Sequence, residues 1–239
     1  MNAPASLTER HRRVLLKNPW FAGLSETVRD DVLARVQPKG LARGDCLFRR
    51  GDASDGVYGV LEGTLRLSGT SKEGREAVLD FYEPGAWIGE ISSLDGLPRT
   101  HDAYAHVPTR VLHLSLKHLE ALLERYPELS RHLLRLECRR LRLLLGEVEA
   151  FSLNTLEQRL AGRLLMLAEA YGSPTAWGQR IELHLSQELL AQLVGVSRQR
   201  VNQIFKAWEI DGLVEQRYGR VLLLDRGRLD ALAQGNALA

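Results

Sequence analysis

The segment "LAQLVGVSRQRVNQIFKAWEIDGLVEQRYGRVLLL", residues 190–224, changes character three times. A short apolar-periodic stretch stops at Gly195, a second starts after Ser197, and two β-rich runs flank "YGR". Two helices that cross closely need a small residue at the crossing, a glycine in the turn, and an apolar residue of the second helix packed on the first. Ala191, Gly195 and Val201 stand at that spacing, four and then six residues apart, with Leu190, Val194, Val196 and Ile204 as accompanying core. Ser197 sits where an N-cap belongs, so its hydroxyl can accept from a free backbone N–H of the second helix.

The positions left for the outer face of that helix are Arg198, Gln199, Arg200, Asn202, Gln203 and Lys206. Arginine pairs with guanine O6/N7 and glutamine with adenine N6/N7, each good bidentate pair giving about 1–3 kcal/mol of discrimination. The two runs around "YGR" predict a hairpin wing that carries Arg217 and Arg220 toward a nucleic-acid backbone, and Ser186 is placed with the same DNA-facing set. The competing reading is a helical hairpin used for protein contact.

Upstream, "ELSRHLLRLECRRLRLLLGEVEAF" runs about 24 residues without proline and predicts a helix of roughly 36 Å. Leu134, Leu141 and Val148 fall seven apart, and Leu144 and Phe151 form a second row of the same period. That is a coiled-coil seam of about three heptads. Leucine continues around the helix at 133, 136, 143 and 145, more apolar surface than one neighbour needs, and a symmetric dimer would bury it. Leu134, Leu141, Leu144, Leu145, Val148 and Phe151 are the expected dimer contacts. The competing reading is a long amphipathic helix packed on its own domain.

"FSLNTLEQRLAGRLLMLAEAYG" then predicts another helix closed by Gly172, and "SPTAWGQR" a loop. From about residue 40 to 116 the chain reads as short strands: "GVYGVLEGTLRLSG" and "TRVLHLSLKH" alternate, and "RRGDASDG", "GTSKEG" and "YEPG" supply turns. Many short strands at even spacing predict an antiparallel barrel or roll. A helix is expected ahead of it from Ser25, with Val28, Val32, Leu33 and Val36 on one face.

The bulk properties agree with a folded protein of about two domains: 239 residues, 44% hydrophobic and 26% charged. Net charge is only +2 and is spread evenly, so affinity for DNA has to come from local placement. The N-terminus lacks a secretory pattern and no 18-residue apolar run occurs, so a cytoplasmic protein without membrane contact is expected. Cys46 and Cys138 fit neither a disulfide framework nor a metal site and are expected as small buried side chains. No GxSxG, HExxH, P-loop or CxxC pattern is present, so no enzyme, catalytic residue or metal site is predicted.

Late in the roll region, "GEISSLDGLPRTHDA", residues 89–103, sets a Gly-Glu pair ten residues ahead of an Arg-Thr pair. The order of roll, long helix, helix-turn-helix and wing, together with this "GE…RT", resembles the cyclic-AMP receptor protein/fumarate-nitrate regulator family of bacterial transcription factors. The resemblance runs from about Asn18 onward and is carried by "LFRRGDASDGVYGVLEGTLRL", "PGAWIGEISSLDGLPRT" and "LAQLVGVSRQRVNQIFKAWEIDGLV". It implies an α+β protein: an N-terminal cyclic-nucleotide-binding-type β-roll (1–127), a long dimerisation helix (128–151) and a C-terminal winged helix-turn-helix domain (152–239). It also implies a homodimer on a roughly palindromic operator of double-stranded DNA, read by Arg198, Gln199 and Gln203. An activator of this kind also touches RNA polymerase, through a patch that is not legible here.

In nucleotide-binding members the glutamate holds the ribose 2′-hydroxyl and the arginine pairs with the cyclic phosphate, helped by a hydroxyl and backbone N–H groups. Gly89, Glu90, Ser92, Arg99 and Thr100 match those places. A small anionic effector is one reading; an ordinary Glu90–Arg99 ion pair in a vestigial pocket is the other. Cyclic AMP itself is disfavoured. His101 replaces the receptor's alanine, and Leu144 and Leu145 replace the polar pair that reads adenine, leaving purine edge groups unpaired at about 1–3 kcal/mol each. Two cysteines exclude the iron-sulfur branch, and no spacing singles out a haem ligand among His101, His106, His113, His118 and His132. A ligand-independent regulator and a cyclic-nucleotide effector module that does not bind DNA stay open.

Overall fold

The structure, a computed structural model, describes residues 8–74 and 76–236. Its contacts divide the chain into two units that meet between Arg142 and Leu143. The first unit opens with α1 (Glu9–Leu15), α2 (Pro19–Ala22) and α3 (Glu26–Leu33), followed by β1 (Gln37–Leu41), β2 (Cys46–Phe48), β3 (Gly56–Glu62), β4 (Leu65–Thr70), β5 (Glu76–Tyr82) and β6 (Trp87–Ile88). After α4 (Glu90–Asp95) come β7 (Asp102–Ala105), β8 (Thr109–Ser115), α5 (Leu116–Arg125) and α6 (Pro127–Leu153), which continues into the second unit.

The strands form two antiparallel sheets, ordered β1-β8-β3-β6 and β2-β7-β4-β5. This is the expected β-roll, and its hydrophobic pattern explains how it closes. Successive side chains of a strand point to opposite faces. Along β3, Val57 and Leu61 enter a core shared with Leu15, Trp20, Phe21, Val28, Val32, Leu119, Leu122, Leu129 and Leu133 of the surrounding helices. Tyr58 and Val60 enter the roll interior with Leu41, Phe48, Leu65, Ala103 and Val111. β8 divides likewise, Val111 inward and Leu112 and Leu114 toward the helices. Because both faces of β3 are covered, its run is nearly all apolar instead of alternating with polar residues.

The helix expected from Ser25 is α3. Ser25 caps it by accepting from Val28 N at 3.4 Å, while Val28, Val32 and Leu33 are buried and Val36 packs at the edge of the same core.

α6 spans 27 residues. Leu129 and Leu133 are buried and Leu136 partly buried in the helix-side core, so part of the leucine surplus is absorbed within the first unit. From Leu134 onward the expected row is left open: Leu134, Leu141, Leu144, Leu145, Val148 and Phe151 are 54–64% exposed. Cys138 lies on the same helix and is also exposed, and Cys46 is half-buried on β2 with its Sγ 3.3 Å from Phe48 O. The expectation of two buried cysteines therefore fails, since neither side chain faces a core.

In the second unit α7 (Leu156–Tyr171) leads to β9 (Gly172–Thr175), β10 (Gly178–Ile181), α8 (Gln187–Val194), α9 (Arg198–Ile210), β11 (Val214–Arg217), β12 (Arg220–Leu223) and α10 (Arg226–Ala233). The stretch from Phe151 is not one helix. Phe151–Leu153 end α6, and Thr155 starts α7 with a capping box in which its Oγ1 accepts from Gln158 N at 3.3 Å and its N–H donates to Gln158 Oε1 at 2.6 Å. "SPTAWGQR" is not a loop either. It builds the β9–β10 hairpin, which extends the wing into a sheet ordered β11-β12-β10-β9. Strands this short carry too few alternations to be seen locally, and β12 supplies the pairing from about forty residues away.

No helix among the described residues is long and apolar enough to cross a membrane.

Candidate nucleic-acid interface and effector pocket

In the roll, the turn from β6 into α4 and the segment before β7 bring Gly89, Glu90, Ser92 and Arg99 into one buried shell. Arg99 is 2% exposed. Its Nη1 donates to Gly89 O at 2.7 Å, and its Nη2 donates to Gly56 O and to Asp55 Oδ1, both at 2.7 Å. The guanidinium also lies 4.4 Å over the Phe48 ring. Two glycines make this possible. Gly89 has φ +96° and an added Cβ would come within 2.7 Å of Arg99 Nη1, while at Gly56 it would strike Leu114 O at 2.1 Å.

Glu90, 4% exposed, turns the other way. It pairs with Arg140 of α6, whose second Nη donates to Trp87 O at 2.6 Å and whose guanidinium stands 5.6 Å from the Tyr82 ring centre. Glu90 and Arg99 are therefore not the ion pair that one reading expected. Each has its own partner, because Asp55 and two carbonyls saturate one side of the guanidinium and Arg140 reaches the carboxylate from the helix. Burial works against the charge of the Asp55 carboxyl, but hydrogen bonds from Tyr58 and Arg99 outweigh it and hold the group below the usual carboxylate range. Burial and the Asp55 bond together push the Tyr58 hydroxyl up.

Two polar atoms of this shell stay unsatisfied. Glu90 Oε2 and Arg99 Nε are buried without a hydrogen-bond partner among the described residues. One is an acceptor that a hydroxyl would satisfy; the other is a donor that an anionic oxygen would satisfy. Ser92 is buried, its Oγ donating to Pro98 O at 3.3 Å. Thr100 is exposed and its Oγ1 lies 3.0 Å from His101 Nδ1, so it stands outside the buried shell. Sequence reasoning misses Asp55 and Arg140. Asp55 reads as one of several turn aspartates, and Arg140 as one of five arginines in "SRHLLRLECRRLR".

In the second unit α8 and α9 form the expected helix-turn-helix. Leu190, Ala191, Val201 and Ile204 are buried between them, and Gly195 turns the chain at φ +72°. Ser186 caps α8 by accepting from Leu189 N at 3.1 Å, and Ser197 caps α9 by accepting from Arg200 N at 3.3 Å. One face of α9 packs Val201, Ile204, Phe205 and Trp208 inward, which leaves Arg198, Gln199, Arg200, Gln203 and Lys206 exposed. Arg200 is held on the surface by Gln203 Oε1 at 3.3 Å and Glu157 of α7 at 3.7 Å.

Asn202 departs from the expectation. It is half-buried and its Oδ1 accepts from Gln187 Nε2 of α8 at 3.1 Å, because the turn of α9 rotates it toward the first helix. The wing is a two-residue hairpin. Tyr218 at φ +51° and Gly219 at φ +73° give the left-handed pair that matches strand twist. Arg217 is exposed and paired with Glu215, and Arg220 with Glu182.

Comparisons with known proteins follow the same division. A family model for the cyclic nucleotide-binding domain matches residues 38–126, and one for the Crp-like helix-turn-helix domain matches residues 158–232. The Cyclic AMP receptor protein of Thermus thermophilus is 30% identical over 220 residues, covering 92% of this chain and 99% of that protein. The CRP-like cAMP-activated global transcriptional regulator of Mycobacterium tuberculosis is 29% identical over 216 residues, covering 90% and 96%. Among solved structures, a CRP-family transcriptional regulator from Thermus thermophilus superposes with a TM-score of 0.70 at 26% identity, covering 84% of this chain and 98% of that one.

Proposed function

From the chain's membership of the cyclic-AMP receptor protein/fumarate-nitrate regulator family, a family of DNA-binding transcriptional regulators, we propose a homodimer that reads a palindromic operator and is set by a small anionic ligand in the roll. The observation that carries the output side is the α9 surface, where Val201, Ile204, Phe205 and Trp208 are buried and Arg198, Gln199, Gln203 and Lys206 are exposed on a helix capped by Ser197. Arg198, Gln199 and Gln203 address base edges, while Arg200, Lys206, Arg217 and the Ser186 and Ser197 caps address the backbone.

The open apolar row on α6 supports the dimer. Six large side chains, each more than half exposed, follow the period of a helix pair, and a two-fold partner covers them with the same row. Two recognition helices then meet successive major grooves about 34 Å apart. The input side rests on the unsatisfied Glu90 Oε2 and Arg99 Nε, which suit a ligand that presents a hydroxyl and an anionic oxygen together, as a cyclic nucleotide does. Because Glu90 also holds Arg140, a ligand hydroxyl at that carboxylate competes for the group that ties the roll to α6. Ligand contact is thus converted into a change in the helix that carries the dimer seam. Leu144 and Leu145 offer no hydrogen bond, so adenine is not read the way the receptor reads it.

Fluorescence anisotropy against promoter fragments tests the whole reading. Specific binding is expected, falling steeply with salt as phosphate counterions are released. In sedimentation the wild type should run as a dimer, and Leu141→Glu as a monomer with weakened operator affinity. Calorimetry with cyclic mono- and dinucleotides tests the pocket, and silence across the panel rejects its ligand.

A further inference from the structure

Three amide side chains of the second unit form a closed relay that none of the base-reading residues belongs to. Gln187, the first residue of α8, donates through Nε2 to Asn202 Oδ1 of α9 at 3.1 Å and to Gln216 Oε1 of β11 at 3.2 Å. Gln216 uses its other end: its Nε2 donates to Leu185 O at 2.8 Å, just before α8. Its backbone N–H donates to Glu209 Oε1, in the last turn of α9, at 3.1 Å. The wing turn closes the circuit, with Leu185 N donating to Gly219 O at 2.6 Å. All three amide side chains are half-buried, so water competes with these bonds less than at an open surface.

The apolar contacts between α8 and α9 fix how far apart the helices lie but resist sliding and rotation poorly, since apolar attraction is non-directional. Hydrogen bonds with fixed donors and acceptors do resist it. The relay grips α9 at two places, Asn202 in its first half and Glu209 near its end, and ties both to the strand that carries Arg217. We infer that Gln187, Asn202 and Gln216 are positioning residues for operator discrimination: they hold the recognition helix in register with the wing, so that base-reading side chains and backbone-binding arginines engage the duplex together. This rests on α9 reading bases, as proposed above.

The two kinds of DNA contact respond differently to a loosened register. Phosphate contacts lie along the whole duplex and tolerate a small rotation, whereas a bidentate base contact is lost by it. The test uses the full-length chain carrying Gln187→Leu, Gln216→Leu and both together, with operator and scrambled-duplex affinities measured at one salt concentration. The ratio of specific to non-specific affinity should fall about tenfold in each single variant, the equivalent of about 1.4 kcal/mol. The double variant should fall no further, because either change opens the same circuit. Scrambled-duplex affinity should change less than about twofold, which also reports that the domain is folded.

An unchanged ratio, a parallel loss of both affinities, or losses that multiply in the double variant would each overturn the relay while leaving base reading intact. A wild type that prefers no fragment would overturn both.

Discussion

The candidate pocket of the roll and the second helix of the helix-turn-helix use the same chemical vocabulary in opposite settings. In the roll, Arg99 and Glu90 are almost fully buried, and their charges are met by Asp55, Arg140 and main-chain carbonyls. On α9, Arg198, Gln199 and Gln203 project into water from a helix whose opposite face is core. A buried site therefore cannot be changed without disturbing what holds it, while an exposed one can be rewritten side chain by side chain. The buried shell of the roll is structurally constrained and the exposed face of α9 is free to vary.

The largest effect that could break this contrast is Arg99→Ala. It strips Asp55 of its cation and takes a donor from the Gly56 and Gly89 carbonyls, of which Gly89 O keeps Ser93 Oγ at 2.8 Å. A loss of about 2–3 kcal/mol of roll stability is expected from the buried acceptor left short of a donor, read by thermal or urea denaturation. If the variant melts like wild type, the pocket is as forgiving as the surface. Arg198→Ala should do the reverse. Its melting curve should stay within about 0.5 kcal/mol of wild type, while discrimination at one operator position falls by about 1–3 kcal/mol in a base-substitution series.

Ser197→Ala lies between the two. It removes the cap of α9 and should cost about 1 kcal/mol of stability by the same denaturation measurement. The smallest effect concerns acid. The Asp55 carboxyl sits below its ordinary value in the folded chain, so its contribution is fully present above the unfolded value of about 4 and is lost as pH falls through the lower folded value. With its side chain 55% exposed, that contribution should not exceed about 1 kcal/mol. Asp55→Asn should flatten the acid limb of a stability profile run from about pH 6 to about pH 3, and an unchanged limb would place the sensitivity elsewhere.

What can be read from sequence follows the same division. Output residues are local: the spacing of Ala191, Gly195 and Val201, the Ser197 cap and the polar face are all contiguous along the chain. The roll is legible as a class from its turns and short apolar runs, because β3 and β8 carry strong patterns. The partners of the pocket are not. Asp55 and Arg140 meet Arg99 and Glu90 from 44 and 50 residues away, and no local pattern marks either. The β9–β10 hairpin escapes a local reading for the same reason, as does the inward turn of Asn202, which depends on Gln187 of another helix. Cys138 shows the opposite fault: residue type argues for burial, and only its place on the open face of α6 argues against it.

The double burial of β3 has a consequence for dissecting this protein. The segment matched as a cyclic nucleotide-binding domain begins at residue 38 and ends at 126, after α1–α3 and before α6. Cut there, Val57, Leu61, Trp87, Leu112 and Leu114 would lose Leu15, Trp20, Phe21, Val28, Val32, Leu129 and Leu133, keep only Leu119 and Leu122 of α5 from that core, and face water over much of one side of the sheet. Such a fragment is expected to aggregate when expressed alone. The smallest autonomous piece has to keep its helical jacket, including the opening turns of the same rod whose far end displays the leucine row.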